Sequence, residues 1–444
     1  MLKLPSVLTA FAGKLKAEGT TLYAVGGCVR DAYLGRPVHD IDLCSRMRPD
    51  ELIRFATEHG IEARLVQQTL GTVLLTLGGE TYEHTTFRTE SYGAGGAHRP
   101  DAVRFSDTPE TDARRRDFTV NAMYESVADG TLCDPTGGMR DLCDRVLRTT
   151  SDDPSVILRD DGLRILRLVR FAAKLGFSID PDTWDAAKAN AYLLSDVAWE
   201  RKREELDRML TGETVFQALS MLRSVGALPY VLPECCACDG MEQRKDHHRY
   251  DVLTHMFHTC ENTPDDLACR LIGLLHDVGK PEAKRRDGNQ YAHDLYGERT
   301  ARIMLERLRY PTALIDRICG AIRVHMFDLT ESASDATLKK RFAVWGRERT
   351  KDLIMIREAD IRGSGYRLDY VAERWRRVFR EMQQRHAPFS ERELCITGED
   401  IMDELKIPAG ERVGRIKRQL LLHCAVHPDD NRTETLRKRM HDYV

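Results

Sequence analysis

The chain contains no apolar run approaching the roughly 20 residues that a bilayer-spanning helix needs, so a membrane protein built from such helices is excluded. It also lacks a charge excess: 67 Lys and Arg against 70 Asp and Glu leave a net charge of -3. A nucleic-acid partner would therefore have to be held by local basic patches, because the global field does not attract phosphate. No internal repeat and no low-complexity tract occurs. The 12 cysteines are scattered among core-type residues, which fits buried thiols in a reducing compartment and not a disulfide framework. Only Cys235, Cys236 and Cys238 cluster, and without a matching second pair they read as a plain loop and not a zinc site. The N-terminus lacks the unbroken apolar stretch of a signal peptide. Leu4, Leu8, Phe11 and Leu15 recur at helical intervals with Lys14 and Lys16 beside them, which reads as the first helix of a cytoplasmic protein.

What remains is an ordinary globular composition, 42% hydrophobic and 31% charged over 444 residues, with a mean hydropathy of -0.44. That length accommodates two to four domains. From Leu22 to about Thr149, strand-like runs ("LYAVGG", "DIDL", "EARLV", "TVLLTL", "YEHTTF", "AVRF", "TLCDP") alternate with short helices, giving an α+β portion. Beyond Pro154 helical periodicities dominate, as in "ILRDDGLRILRLVRFAAKLGF" and "WERKREELDRML". Pro, Gly and polar residues gather at 149–155, 232–240 and 383–391, which places expected boundaries near 150, 235 and 383.

The segment Tyr23 to Leu43, "YAVGGCVRDAYLGRPVHDIDL", carries the first chemistry. Gly26 and Gly27 after an apolar strand allow backbone amides to approach a polyphosphate, and Arg30 follows one turn into a helix. On a strand, Asp40 and Asp42 would point to one side while Ile41 and Leu43 face the core. Two hard oxygen ligands side by side suit Mg²⁺, and divalent-ion catalysis of nucleotidyl transfer needs such a pair. "YEHTTFR" offers Glu83 as a third carboxylate on another strand. "RRRDFTVNAMY" sets Arg114, Arg115, Arg116 and Asp117 ahead of an apolar helix, and "DPTGGMRDL" supplies a further glycine turn.

Taken in order, GGxVRD with DxD, TTFR, RRDFTxNA, DPxGGxxDL and "RDDGLRILRLVRFAAKLGF" resemble the motifs of the class II tRNA nucleotidyltransferases, the bacterial CCA-adding enzymes and their poly(A) polymerase relatives. The resemblance covers essentially the whole chain. It implies a polymerase-β-like head (1–150), then an all-helical neck (151–235), body (236–383) and tail (384–444). It also implies template-independent addition of CCA to tRNA 3′ ends from CTP and ATP. On the matching positions Asp40 and Asp42 hold Mg²⁺, Glu83 is the supporting acid, Gly27 and Arg30 contact triphosphate, and Arg116 contacts the nucleotide.

Asp161, Arg164, Arg167 and Arg170 step by three along an expected helix and so share a face. A carboxylate accepts hydrogen bonds and a guanidinium donates them. Cytosine and adenine each present an amine donor beside a ring-nitrogen acceptor, while uracil and guanine present the reverse. One Asp and one Arg therefore accept C and A and reject U and G. The resemblance gives Asp161 and Arg164 this base-reading role and the downstream arginines the triphosphate. Asp160 stands where the family commonly has Glu. A bidentate contact discriminates by roughly 1–3 kcal/mol, so closure around the base is expected to add to it, with the glycines Gly93, Gly95 and Gly96 supplying freedom to move.

A third group lies in "YDVLTHMFHT", "LLHDVGK", "YAHDLYGE", "IRVHMF" and "IREADIRG": His255, His276 with Asp277, His293, His325 and Asp360. An adjacent His-Asp pair inside an apolar helix is costly to bury without a metal or partners. Mixed imidazole and carboxylate ligands suit a transition metal or Mg²⁺ activating water for phosphoester hydrolysis. This order, with Lys280, resembles the HD phosphohydrolases. It implies His255, His276, Asp277 and Asp360 as ligands of a second divalent metal (Mn, Ni, Fe or Mg), with His293 and His325 nearby, acting on cyclic or terminal phosphates of RNA ends. In the tail, Lys406, Arg412, Arg415, Lys417 and Arg418 would line a phosphate track, with Val413, Ile416, Leu420 and Leu421 on the buried side. Three rival readings remain at this level: a poly(A) polymerase or an enzyme limited to CC or A addition, a phosphohydrolase with an inactive head, and a non-catalytic RNA-binding protein.

Overall fold

The computed structural model describes residues 2–92, 102–244, 248–328, 332–365 and 372–443. It divides into two compact units. One comprises Met1–Met209 with Gln217–Val231, the other Leu210–Phe216 with Leu232–Val444. The glycine cluster at 93–96 lies outside the described residues.

The first unit begins with the helix Ser6–Ala17, whose Leu8, Phe11, Ala12 and Leu15 are buried at the helical spacing of the sequence. Strands then follow in chain order: β1 (Tyr23–Val25), β2 (Leu43–Ser45), β3 (Glu62–Gln67), β4 (Thr72–Leu77), β5 (Glu80–Thr86), β6 (Arg88–Ser91), β7 (Ala102–Phe105), β8 (Tyr124–Ser126) and β9 (Leu132–Cys133). Seven of them form one mixed sheet ordered β3-β4-β5-β2-β1-β8-β9, and β6 pairs separately with β7. Within the large sheet only β2 and β5 run parallel, registering Leu43 with His84 and Cys44 with Thr85. Apolar side chains of these strands, Val25, Cys44 and Tyr124, pack with Phe87, Ala113 and Ala122 beneath the site.

Two expectations are corrected. "HDIDL" is not a strand throughout: β2 starts at Leu43, and Asp40 and Asp42 belong to the extended connection that enters it. Asp42 is nonetheless tied to the sheet, because its carbonyl accepts a hydrogen bond from Val25 N at 3.0 Å. The stretch "ILRDDGLRILRL" is not one helix. Pro154–Asp160 ends at Asp161, which is extended, and a second helix runs Leu163–Leu175. The Asp161 side chain accepts from Leu163 N at 3.1 Å, the local bond by which aspartate competes with helix. At Gly162 a Cβ would lie 3.0 Å from Leu193 Cβ, a tight contact that glycine avoids where the chain breaks. The apolar helix expected after Asp117 is likewise a single 3-10 turn, Thr119–Asn121.

The rest is helical apart from two short strands, β10 (Val146–Leu147) and β11 (Ser178–Ile179), paired in parallel. The second unit stacks helices Val252–Glu261, Leu267–Leu275, Thr312–Ile322 and Arg347–Gly363 around buried aliphatic residues. In the helix Glu411–Val426, Ile416, Leu420 and Leu421 are buried and Val413 half-buried, while Arg412, Arg415 and Arg418 are exposed, as the amphipathic spacing requires. Cys235 and Cys238 are buried in the 3-10 turn Pro233–Cys238, and all twelve cysteines are free thiols. No described helix is long and apolar enough to cross a membrane.

Candidate active site

Gly26 closes β1 with φ +83°, a left-handed backbone that favours glycine, and starts the helix Gly27–Tyr33. That turn aims Arg30 inward. Its guanidinium is buried, donates to Asn121 Oδ1 at 2.5 Å and to Asp31 Oδ1 at 2.8 Å, and lies 5.1 Å from the Phe171 ring centroid.

The parallel register of β2 and β5 sets Glu83 beside Asp42, one step before the Leu43–His84 pair. Strand alternation turns Tyr82 and His84 into the core and Glu83 out. The Asp42 carboxyl is pushed up by burial and by the neighbouring charge of Glu83, with Arg116 opposing and Asp40 adding to the rise. Among the described residues none of these three acids makes an ion pair. Clustered carboxylates without cations of their own fit a divalent ion held by Asp40 and Asp42 with Glu83 in support.

Across from them runs a chain of charged groups. Arg116 donates from Nε to Asp112 and to the Tyr124 hydroxyl, both at 3.0 Å. Asp117 accepts from Arg167 Nη2 at 2.6 Å and from Asn121 Nδ2 at 3.1 Å. Although burial alone would raise the Asp117 carboxyl, Arg167 and Asn121 bring it down to about 2. Arg170 Nε meets the buried Glu205 at 2.5 Å. Arg30, Asn121, Asp117, Arg167, Glu205 and Arg170 thus form one connected network, joined between Arg167 and Glu205 by a long ion pair of 3.9 Å.

Arg164, Arg167 and Arg170 do follow one another on the helix Leu163–Leu175. Asp161 does not share that face as expected, since it sits in the break. Its carboxylate instead pairs with Arg201 of the helix Trp199–Leu210, Nη2 to Oδ2 at 2.6 Å and Nη1 to Oδ1 at 3.2 Å. Arg164 is buried and donates to the carbonyls of Ile157 at 2.9 Å and Arg115 at 2.6 Å.

Many of these groups line one cleft of about 610 Å³. Its lining brings together Gly27, Arg30, Asp40, Asp42, Arg116, Asp161, Arg164, Arg167 and Arg170, so nine positions singled out in the sequence meet in one place. Glu83 does not line the cleft and touches it through Asp42. Arg201, Asn121 and Lys174 also line it and escaped the sequence reading. A usable signal existed for Arg201 and Glu205, which stand four apart in "WERKREEL" and therefore share a helix face.

The second unit holds a separate cluster. His255 lies within the helix Val252–Glu261 and Asp360 within Arg347–Gly363. The His276–Asp277 pair is not inside a helix as expected but in the turn after Leu267–Leu275, where both side chains swing toward a common point. His255 Nε2 is 2.9 Å from Asp360 Oδ1 and 3.2 Å from His276 Nε2. Asp277 faces two ways: Oδ2 lies 3.2 Å from His276, while Oδ1 lies 3.1 Å from His293. His293 Nε2 and His325 Nε2 are 3.1 Å apart.

The tautomers follow from the backbone. Nδ1 of His276 faces Gly273 O at 2.9 Å, that of His293 faces Gln290 O at 2.6 Å, and that of His325 faces Ile322 O at 2.7 Å. A carbonyl only accepts, so each Nδ1 carries the proton and each Nε2 presents a lone pair. In the neutral rings of His293 and His325 two Nε2 lone pairs thus face each other at 3.1 Å, a repulsion that a shared proton or a metal ion relieves. The donor set fits metal: His255, His276, Asp277 and Asp360 for one ion, and Asp277, His293 and His325 for a second. His248, absent from the sequence reading, joins His255 and Asp360 as a further candidate ligand.

Three family models match successive parts of the chain. The model of the poly(A) polymerase head domain matches residues 22–148, that of a probable RNA- and SrmB-binding site of polymerase A matches 176–238, and that of the HD domain matches 246–362. The chain is 34% identical to the A-adding tRNA nucleotidyltransferase of Deinococcus radiodurans over 72% of its own length and 76% of that enzyme. It is 39% identical to the CCA-adding enzyme of Limosilactobacillus fermentum over 47% of its length, a match that spans half of that relative. Its fold superposes on the Bacillus stearothermophilus CCA-adding enzyme in complex with CTP with a TM-score of 0.72 and 25% identity, covering 98% of this chain and 96% of the other.

Proposed function

Because the chain belongs to the family of tRNA nucleotidyltransferases and poly(A) polymerases with an HD domain, we propose that it restores CCA to tRNA 3′ ends from CTP and ATP without a nucleic-acid template. The observation that carries this reading is the single cleft in which Asp40 and Asp42 face Arg116, Asp161 and the arginines of the neck helix. The Bacillus stearothermophilus structure was obtained with CTP, the triphosphate proposed for this cleft. The chain then runs as head 1–150, neck 151–235, HD body 236–383 and tail 384–444, acting in the cytoplasm.

In this mechanism Gly27 and Arg30 take the triphosphate at the helix Gly27–Tyr33. Arg116, Arg167 and Arg170 spread its charge, and their own carboxylate partners keep them in place before it arrives. Asp40 and Asp42 would hold Mg²⁺, with Glu83 shaping the field beside Asp42. When bound, that ion supplies charge stabilisation for the attacked α-phosphate and the departing pyrophosphate. Asp161 accepts the base amine and Arg164 donates to the ring nitrogen. Asp161→Ala is expected to retain nucleotide addition but to lose its preference for CTP and ATP over UTP and GTP by about 10-fold. Addition is read by incubating tRNA transcripts ending before C, CC or CCA with labelled CTP, ATP or UTP and sequencing the ends. Unchanged rejection of UTP in the variant counts against the base-reading role.

The two faces of Asp277 favour a second activity. We propose that the HD cluster holds a pair of divalent ions and hydrolyses cyclic or terminal phosphates at RNA ends, leaving the free hydroxyl that nucleotide addition requires. Lys280, 2.5 Å from Asp277, would keep that carboxylate ionised and able to hold a metal. Protein supplemented with Mn²⁺ or Ni²⁺ is expected to open 2′,3′-cyclic nucleotides, and His276→Ala to slow this at least about tenfold. Equal rates in the two proteins remove the activity.

A further inference from the structure

Three of the arginines that line the cleft meet on one ring. Phe171 is buried on the helix Leu163–Leu175, and its ring centroid lies 4.1 Å from Arg170 Cζ, 5.1 Å from Arg30 Cζ and 5.3 Å from Arg167 Cζ. Arg167 precedes Phe171 by four residues and so shares its helix face, whereas Arg30 arrives from the helix Gly27–Tyr33. Phe118, fully buried, meets the same ring edge to face, with centroids 6.0 Å apart and planes at 82°, and so steadies its orientation. Phe171 and the three arginines all line the cleft that holds Asp40 and Asp42.

Three cations within 5.3 Å of one point repel one another. Their oxygen partners oppose that repulsion but take up N–H donors. Arg167 Nε donates to Asp117 at 2.8 Å, Arg170 Nε to Glu205 at 2.5 Å, and Arg30 spends Nε on Asp31 and Nη1 on Asn121. An aromatic face works differently. It attracts the cation as a whole through its quadrupole and needs no N–H in return. A guanidinium carries five such donors, so each arginine keeps some for a further acceptor.

We propose that Phe171 is a positioning residue for the triphosphate: its ring gathers the three guanidiniums against their repulsion while leaving N–H donors for phosphate oxygens. The inference rests on the reading of this cleft as the nucleoside triphosphate site. The charge of the β- and γ-phosphates is present before transfer and during it, so the ring acts on ground and transition state alike. Its loss therefore raises KM and spares kcat, and does so equally for CTP and ATP, because no base contact is involved.

The test uses the full chain with tRNA transcripts lacking the last nucleotides. It measures KM and kcat for CTP and ATP, together with inhibition by pyrophosphate and by cytidine. Phe171→Leu keeps an apolar side chain and removes the ring. It is expected to raise KM for both triphosphates about tenfold and to weaken inhibition by pyrophosphate by the same factor. Inhibition by cytidine should be unchanged, with kcat within about twofold of the parent. Phe171→Tyr, which restores the ring, should return KM to within about threefold of the parent. A parental KM in Phe171→Leu overturns the proposal. So does a loss of cytidine inhibition equal to that of pyrophosphate, which would mark a general loosening of the cleft. Arg30→Met separates the two failures. Pyrophosphate inhibition weakened in Arg30→Met but parental in Phe171→Leu removes only the role of the ring, whereas parental inhibition in both removes the triphosphate reading on which it rests.

Discussion

Replacing Asp40 and Asp42 together with asparagine is expected to reduce nucleotide addition by about 10⁴-fold or more while leaving the fold intact. The size follows from what is lost. Two carboxylates enter β2 side by side, and Asp42 is already under pressure from burial and from Glu83. A divalent ion relieves that pressure, and asparagine gives it neither charge nor a comparable ligand. The fold should tolerate the change, because the sheet uses the Asp42 backbone carbonyl and not its side chain, and Asp40 is exposed. Relief of carboxylate crowding should even raise the thermal midpoint slightly. The measurement is primer extension on tRNA lacking CCA, with circular dichroism to verify folding. Extension at the parental rate would dismiss the pair as the catalytic centre.

How far these features were legible follows from the range of the interactions that set them. The α+β head and the helical remainder were readable because apolar period decides them locally: "TVLLTL" is β4 and "YEHTT" lies in β5. The ordered glycine, arginine and carboxylate motifs likewise foretold nine residues of one cleft. What failed was local geometry settled by partners distant in sequence. A helical period running through "RDDGLRIL" concealed a break at which Asp161 turns extended and Leu193 packs close to Gly162, and period alone carries no record of that contact. For the same reason Asp161 was placed on one helix face with Arg164, three residues away, whereas it sits in the break and accepts from Arg201, 40 residues on. His293 and His325 were grouped with the HD ligands in the sequence, but without a partner among them. Their convergence on Asp277 depends on two turns whose carbonyls orient the rings.

Glu205→Ala is expected to destabilise the first unit by about 3–5 kcal/mol, the cost of breaking a buried ion pair by removing one partner. Glu205 is 2% and Arg170 8% exposed, and they meet at 2.5 Å. Burial lowers the Arg170 guanidinium even with Glu205 beside it, so the cation has little solvent to turn to once the carboxylate is gone. Its stacking on the Phe171 ring, 4.1 Å from the centroid, does not replace a full negative charge. The double variant Arg170→Met with Glu205→Leu should be more stable than Glu205→Ala alone, since it removes both charges and fills the space. Urea titration of the three proteins measures this, and a double variant no more stable than the single one would assign the loss to packing. The same substitution also tests the cleft. If Arg170 serves the triphosphate, CTP brings to Glu205→Ala the anion that the site has lost. CTP, which stabilises by about 2.7 kcal/mol at a hundredfold excess over its Kd, should then raise the midpoint of the variant more than that of the parent at equal CTP concentration. Equal shifts would place the triphosphate away from Arg170.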